Sequence, residues 1–283
     1  MKLLRYGPKG SEKPGMLDAA GKIRDLSGKL GDITPAGLAP AELDKLRAID
    51  PTSLPEVSGN PRLGTPVNGI KNFICIGLNY AKHAAESGLE LPKAPLVFNK
   101  ILSALSGPND DVIIPKNAEK ADWEVELAVY IGRRCQYVSE AEALDYVAGY
   151  SICNDVSERE FQINRGGQFV KGKSAESFGP LGPWLVTRDE IADPQKLKIW
   201  MSLNGDMKQN STTGDMVFSV AQIVSDLSQY CVLEPGDVIS TGTPEGVGLG
   251  HKPPLYLKPG DEMRLGIDGL GEMHQKVVAY SGR

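Results

Sequence analysis

Cysteine, histidine and long apolar runs are scarce in this 283-residue sequence. The four cysteines, Cys75, Cys135, Cys153 and Cys231, lie far apart and form no CxxC pair. That spacing excludes a cysteine zinc site and predicts reduced, mostly buried thiols in a cytoplasmic protein. No apolar run is long enough to span a bilayer. The opening MKLLRYGPKGSEKPG has two early basic residues but no apolar core of the kind a secretory signal needs. Lysine and arginine form no cluster, and a net charge of −5 with a pI near 5.4 argues against a nucleic-acid surface. No segment repeats.

What is present suits an enzyme. Hydrophobic residues make up 41% of the chain, enough for a sizeable core in one domain, alone or with a small appendage. LLRYG and GMLDAAGKIRDLS read as short strands with a turn at Ala19-Ala20-Gly21, and PAELDKLRAI (40–49) reads as a short helix. The proline-rich stretch 51–66 reads as a linker or surface crossing. A boundary near residue 70 therefore separates a small N-terminal domain (1–70) from a catalytic domain (71–283). Beyond it, NFICIGLNY, VIIP, WEVELAVYIG, GYSICNDVS, GPWLVTRDEI, KLKIWMSLNG, DVISTG and DEMRLGIDGLGEMHQKVVAY read as strands. SEAEALDYVAGY (139–150), with Ser139 as N-cap, and VAQIVSDLSQY (220–230) have helical spacing. Many short strands and few helices predict a β-rich α+β fold.

Within ADWEVELAVY (121–130), Val125, Leu127 and Val129 alternate with Asp122, Glu124, Glu126 and Ala128. Side chains two apart on a strand point the same way, so Glu124 and Glu126 are neighbours that repel. A cation between them would make the pair tolerable, with Asp155, at the end of GYSICNDVS, as third ligand. Three oxygen ligands favour Mg²⁺ or Mn²⁺, with Ca²⁺ as a further choice. From the pair alone, a solvated face is the commoner outcome.

In GLNYAKHAAES, His83 and Glu86 stand three apart, as neighbours on a helical turn. A carboxylate beside an imidazole orients it and makes a general base for water; the plain alternative is a surface histidine. His251 and His274 have no such partner and read as structural or solvated. Lys171 and Lys173, in the glycine-flanked loop FVKGKSAES, can hold an enolate oxygen or simply be solvated, and Lys100 in PLVFNK has the same two readings. STGTPEGVGLG (240–250) offers glycine-rich backbone amides for an anion, or is a plain hairpin loop.

In order along the chain, GLNYAKHAAE, PLVFNK, SGPNDDVIIP, DWEVELAVYIG, AGYSICNDVSERE, GKSAESFGPLGPWLV and DVISTGTPEGVG together resemble the fumarylacetoacetate hydrolase family. The resemblance covers about residues 70–283, and the first 70 resemble the family's small leading domain. It implies a mixed β-sandwich roll and a homodimer. It implies a divalent metal on Glu124, Glu126 and Asp155, a water-activating dyad of His83 and Glu86, and Lys173 as clamp for a substrate oxygen. Arg159 and Gln162 match pocket positions, and Thr243 matches the loop that meets the substrate carboxylate. Asn99, Val170 and Glu176-Ser177 depart from the family's usual residues and would retune the pocket.

The reaction so implied is hydrolysis of a C–C bond in a 2,4-diketo acid, of the acylpyruvate or 2,4-diketo-3-deoxy sugar acid type, giving pyruvate and a carboxylic acid. With three carboxylates and one dication the site would hold about one negative charge. Lys173, Arg159 and Lys100 would then supply positive charge for an anionic substrate. The alternative is a lyase, of the oxaloacetate decarboxylase or ureidoglycolate lyase type. A third reading, a metal-stabilised binding protein without activity, conflicts with the intact set of charged residues. Residues around Gln168–Val170 and the segment after Glu86 would shape specificity.

Overall fold

The structure is a computed structural model of the chain and describes residues 1–86 and 88–282. Ser87, first in the segment after Glu86, lies outside the described residues. The expected β-rich α+β architecture is what the chain forms. A ten-stranded sheet and a five-stranded sheet make up most of it, with short helices on their margins.

The large sheet runs Ile23–Asp25, Lys13–Leu17, Lys2–Tyr6, Gly179–Thr187, Val147–Asn154, Val125–Ile131, Val238–Ser240, Phe73–Gly77, Leu96–Lys100, and its tenth strand, Leu105–Ser106, pairs parallel with Gly179–Thr187 off this order. The pairings along this order are antiparallel except Val238–Ser240 with Phe73–Gly77. The five-stranded sheet runs Asp206–Thr212, Lys198–Leu203, Glu262–Ile267, Gly271–Ala279, Val112–Ile114.

Strand Val125–Ile131 is buried along its whole length, on both faces. Val125, Leu127, Val129 and Ile131 share one core with Ile199, Met201, Met263 and Leu265 of the second sheet. Ala128 and Tyr130 join a second core with Leu3, Met16, Leu38 and Leu43 of the leading segment. Period-two alternation therefore sends odd residues into the sandwich and even residues the other way. Glu126 belongs to the even set, so the E-x-E pair is not on a solvated face. The segment before residue 71 adds three strands to the edge of the same sheet, with Leu3 opposite Leu185.

Two local readings change. The helical spacing over 139–150 yields only Glu140–Ala143 and a single 3-10 turn at Leu144–Tyr146. From Val147 the chain is taken into the sheet, where pairing with Val125–Ile131 outweighs helix propensity. Ser139 caps through its carbonyl, while its hydroxyl donates to Glu142. The segment read as a loop around Lys171 and Lys173 contains a short helix, Val170–Lys173, which buries Lys173 and leaves Lys171 donating to the Arg165 carbonyl. Helix Val220–Tyr230 forms as read, with a capping box between Ser219 and Gln222.

Candidate active site and metal centre

The sheet register places the carboxylates. Cys153 lies opposite Glu126, and Asn154 opposite Val125, on the paired central strands. One step beyond, the Asp155 amide donates to the Glu124 carbonyl at 2.8 Å. Three carboxylates 29 and 31 residues apart in sequence thus converge, with one oxygen of each within 4.8 Å of the others. Glu124 and Glu126 are only 4% and 1% exposed, and Asp155 is fully buried.

Basic side chains press against this group. Lys173 Nζ bridges Glu124 Oε2 (2.6 Å) and Asp155 Oδ2 (2.7 Å). Lys100 Nζ, from the edge strand, pairs with Asp155 Oδ1 and donates to the Val156 carbonyl. Arg159 Nη2 lies 2.7 Å from both Glu124 Oε1 and Asp122 Oδ2. Glu126 is held differently. Its Oε2 accepts from the Ser240 hydroxyl (2.6 Å) and the Gly242 amide (2.8 Å), and its Oε1 has no hydrogen-bond partner among the described residues.

Four carboxylates against three cations leave one negative charge in excess, and it falls on Glu126. Burial would raise the Glu124 carboxyl, but Lys173 and Arg159, with His83, outweigh it and hold it well below the usual range. Burial, then the Asp155 and Glu124 charges, push Glu126 well above it. Burial disfavours the Lys173 ammonium, yet Asp155 and Glu124 raise it, so it stays charged. An all-oxygen donor set around one uncompensated carboxylate fits a hard divalent cation. Glu124, Glu126 and Asp155 are the residues that can hold it.

Beside this centre, helix Ala81–Glu86 presents the histidine. Its Nδ1 lies 2.9 Å from Glu86 Oε1, and the Gly246 amide donates to Glu86 Oε2 at 2.9 Å. With Nδ1 engaged by the carboxylate, Nε2 is the nitrogen left for chemistry. His83, Glu124, Glu126, Arg159, Gln162, Lys173 and Thr243 line one cavity of about 370 Å³.

The comparisons with known proteins bear on this geometry. The family model described as fumarylacetoacetate (FAA) hydrolase C-terminal matches residues 72–278. The chain belongs to the fumarylacetoacetate hydrolase family. A Burkholderia cenocepacia (strain HI2424) protein, named only provisionally as a hydrolase, is 60% identical over 98% of this chain and 99% of its own. The solved fumarylacetoacetate hydrolase of Exiguobacterium antarcticum is similar at 33% identity and a TM-score of 0.86, covering 99% of this chain and all of that one. Maleylpyruvate hydrolase of Sphingobium sp. SYK-6 is similar at 30% identity and a TM-score of 0.82, with the same coverage.

In this family member, Lys100 does not line the cavity. It stands behind Asp155, its charge committed there, so it is not placed to meet a substrate. Arg159 lines the cavity, but its charge is likewise spent on Asp122 and Glu124. The Thr243 hydroxyl donates to the Val125 carbonyl and accepts from Gln209, which fixes the loop. The amides of loop 240–250 do receive anions, but these are the protein's own: Gly242 serves Glu126, Gly246 serves Glu86, and Gly248 and Leu249 serve Asp122. Gly242 has φ +94°, and a Cβ there would come within 2.7 Å of Asn79 Cβ. His251 packs beside Trp123, and His274 is exposed against Glu262. Sequence reading left Asp122 without a role. Its position two before Glu124 was the only available signal.

Proposed function

We propose that the protein hydrolyses a C–C bond in a 2,4-diketo acid of the acylpyruvate or 2,4-diketo-3-deoxy sugar acid type, giving pyruvate and a carboxylic acid. The observation that carries this reading is His83, backed by Glu86, in the same cavity as Glu124, Glu126 and Lys173, with the buried Asp155 clustered against the two glutamates. Mg²⁺ or Mn²⁺ on Glu124, Glu126 and Asp155, with Ca²⁺ as a further choice, would polarise the 2-oxo acid head of the substrate. His83 takes a proton from water through Nε2, while Glu86 holds the ring and stabilises its positive charge. The water oxygen adds to the C4 carbonyl. Lys173 donates a hydrogen bond to the oxyanion, and Gln162 helps to orient the carbonyl. The C3–C4 bond then breaks, its electron pair stays with the pyruvate half, and the proton that His83 took from water is returned to C3 to complete pyruvate.

Residues 71–283 carry every group in this scheme, and residues 1–70 form the leading unit docked on it. The chain works as a homodimer, a reading supported by the edge strand Leu96–Lys100 and the two residues after it: Leu96, Val97, Ile101 and Leu102 are exposed. Among the described residues no helix is long and apolar enough to cross a membrane. Four thiols without a disulfide fit a cytoplasmic protein.

The test is pyruvate release by the purified protein with Mg²⁺ or Mn²⁺ and an EDTA control. Substrates would be an acylpyruvate, a 2,4-diketo-3-deoxy sugar acid and oxaloacetate, with glyoxylate release followed separately for ureidoglycolate. EDTA-sensitive pyruvate from a diketo acid, with a carboxylic acid as co-product, is the expected result. Turnover of oxaloacetate or ureidoglycolate alone would replace hydrolysis by a lyase reaction.

A further inference from the structure

The cavity has two chemically different ends. Its inner end holds Glu124, Glu126, His83, Arg159 and Lys173. The rest of the wall is formed largely by Leu78, Leu89, Phe98, Ile163, Phe169 and Leu249. Both lining cations are committed inward, Arg159 to Asp122 and Glu124, Lys173 to Glu124 and Asp155. Gln162 accepts from Arg159 Nη1 at 3.0 Å. Among the described lining residues, no charged group faces the apolar end.

Phe98 stands at the junction. Lys173 Nζ sits 5.1 Å from the centre of its ring, and the Phe169 ring meets it edge-on at 5.5 Å. Farther out, Leu89 and Ile163 are 54% and 51% exposed although they line a cavity. Large apolar side chains left half-bare at a cavity gain stability when an apolar ligand covers them. A carboxylate in the same place would lose water without meeting a cation.

Building on the diketo-acid reading, we propose that the acyl group beyond C4 is uncharged and ends in an apolar carbon, and that Phe169 and Ile163 select it. A substrate head held at the carboxylate end, with Lys173 on its C4 oxygen, sends the rest of the acyl chain past Phe98 towards these residues. An alkyl chain meets that wall directly. A sugar-derived chain meets it only where its last carbon is a methyl. A second carboxylate finds no counter-charge.

Two pairs of compounds test this. The first is 2,4-dioxoheptanoate against 2,4-dioxoheptanedioate, seven-carbon diketo acids that differ in one terminal methyl or carboxylate. With Mn²⁺ present, kcat/KM should favour the methyl-terminated acid by about tenfold or more, the scale on which an apolar pocket discriminates. Phe169→Ala should lower kcat/KM for that acid by about tenfold. Ile163→Arg, at a half-exposed position on helix Arg159–Asn164, should move the ratio towards the diacid, and Leu89→Arg should do so independently. Equal rates on both acids, or a ratio that neither arginine moves, would overturn the proposal and leave hydrolysis standing. The second pair, 2-oxohexanoate and 2-oxoadipate, needs no turnover. Calorimetry should show the monoacid binding about tenfold tighter to the wild-type protein. If neither diketo acid is cleaved the hydrolase reading falls, and this binding pair alone decides; equal or tighter binding of 2-oxoadipate would overturn the apolar-tail proposal.

Discussion

Asp122 and Arg159 form a buried ion pair, with Arg159 Nε 2.8 Å and Nη2 2.7 Å from Asp122 Oδ2. The same aspartate accepts the amides of Gly248 (2.6 Å) and Leu249 (3.0 Å), and the same arginine reaches Glu124. Asp122 therefore ties loop 240–250 to a carboxylate of the metal centre through one guanidinium. It touches neither reacting atoms nor substrate in the proposed reaction, so it is a positioning residue.

Asp122→Asn keeps the size and removes the charge. Arg159 is then a buried cation with one partner fewer, and losing half of a buried pair costs about 3 kcal/mol. Denaturant unfolding should show a loss of that order. Mn²⁺ affinity should also fall, since Glu124 loses its held orientation; an unchanged affinity would confine Asp122 to a purely structural role.

Glu126→Gln removes the one carboxylate without a cationic partner. Calorimetry should show Mg²⁺ or Mn²⁺ binding weakened by about tenfold or more, as expected when a charged ligand becomes neutral. In metal-free protein, stability should hold, because burial and the Asp155 and Glu124 charges already favour the neutral carboxyl, and the amide oxygen can still accept from Ser240 and Gly242. Unaltered metal affinity would refute the assignment of Glu126 as a ligand.

Local spacing carried much of this site. The strand read over 121–130 breaks at Trp123-Glu124, so Glu126 lies on Val125–Ile131 and Glu124 just before it. Their spacing of two still points to one shared centre, as the spacing of three does for His83 and Glu86 on one helical turn. The helix Val220–Tyr230 was legible for the same reason, an apolar period with its capping serine. Long-range facts were not legible. Nothing near Asp122 in the sequence announces loop amides 126 and 127 residues away. Lys100 reads as a substrate contact until the register of the edge strand shows it facing Asp155 from behind. The E-x-E pair reads most simply as solvated, because a strand buried on both faces needs a second sheet on one side and the leading segment on the other. Neither is visible in ten residues.

His83→Ala should lower kcat for diketo-acid hydrolysis by about 10² to 10⁴, the usual contribution of a positioned general base. Divalent-metal binding should be unaffected, since the imidazole is not among the ligands. Glu86→Gln should fall between wild type and His83→Ala: the amide can still accept from Nδ1, but it no longer stabilises the charged ring. Wild-type turnover by His83→Ala would remove the histidine from the mechanism.

Arg62 couples the leading segment to the rest of the chain, and its contribution should depend on pH. Its guanidinium contacts Glu12 (2.8 Å) on one side and Asp110 (2.6 Å) on the other. Burial would raise both carboxyls, but hydrogen bonding and charge from Arg62 hold them below their ordinary values. A carboxyl depressed in the folded state adds stability above its unfolded pKa, near ~4, and loses it as pH falls through the folded value. Arg62→Met should therefore be less stable than wild type at neutral pH, with a gap that narrows as pH drops below about 4. Thermal melts of both proteins between about pH 3 and 7 at low ionic strength would show it, and salt should shrink the gap only modestly because the three groups are mostly buried. A gap that stays constant with pH would mean that Arg62 acts through packing of its side-chain stem and not through its charge.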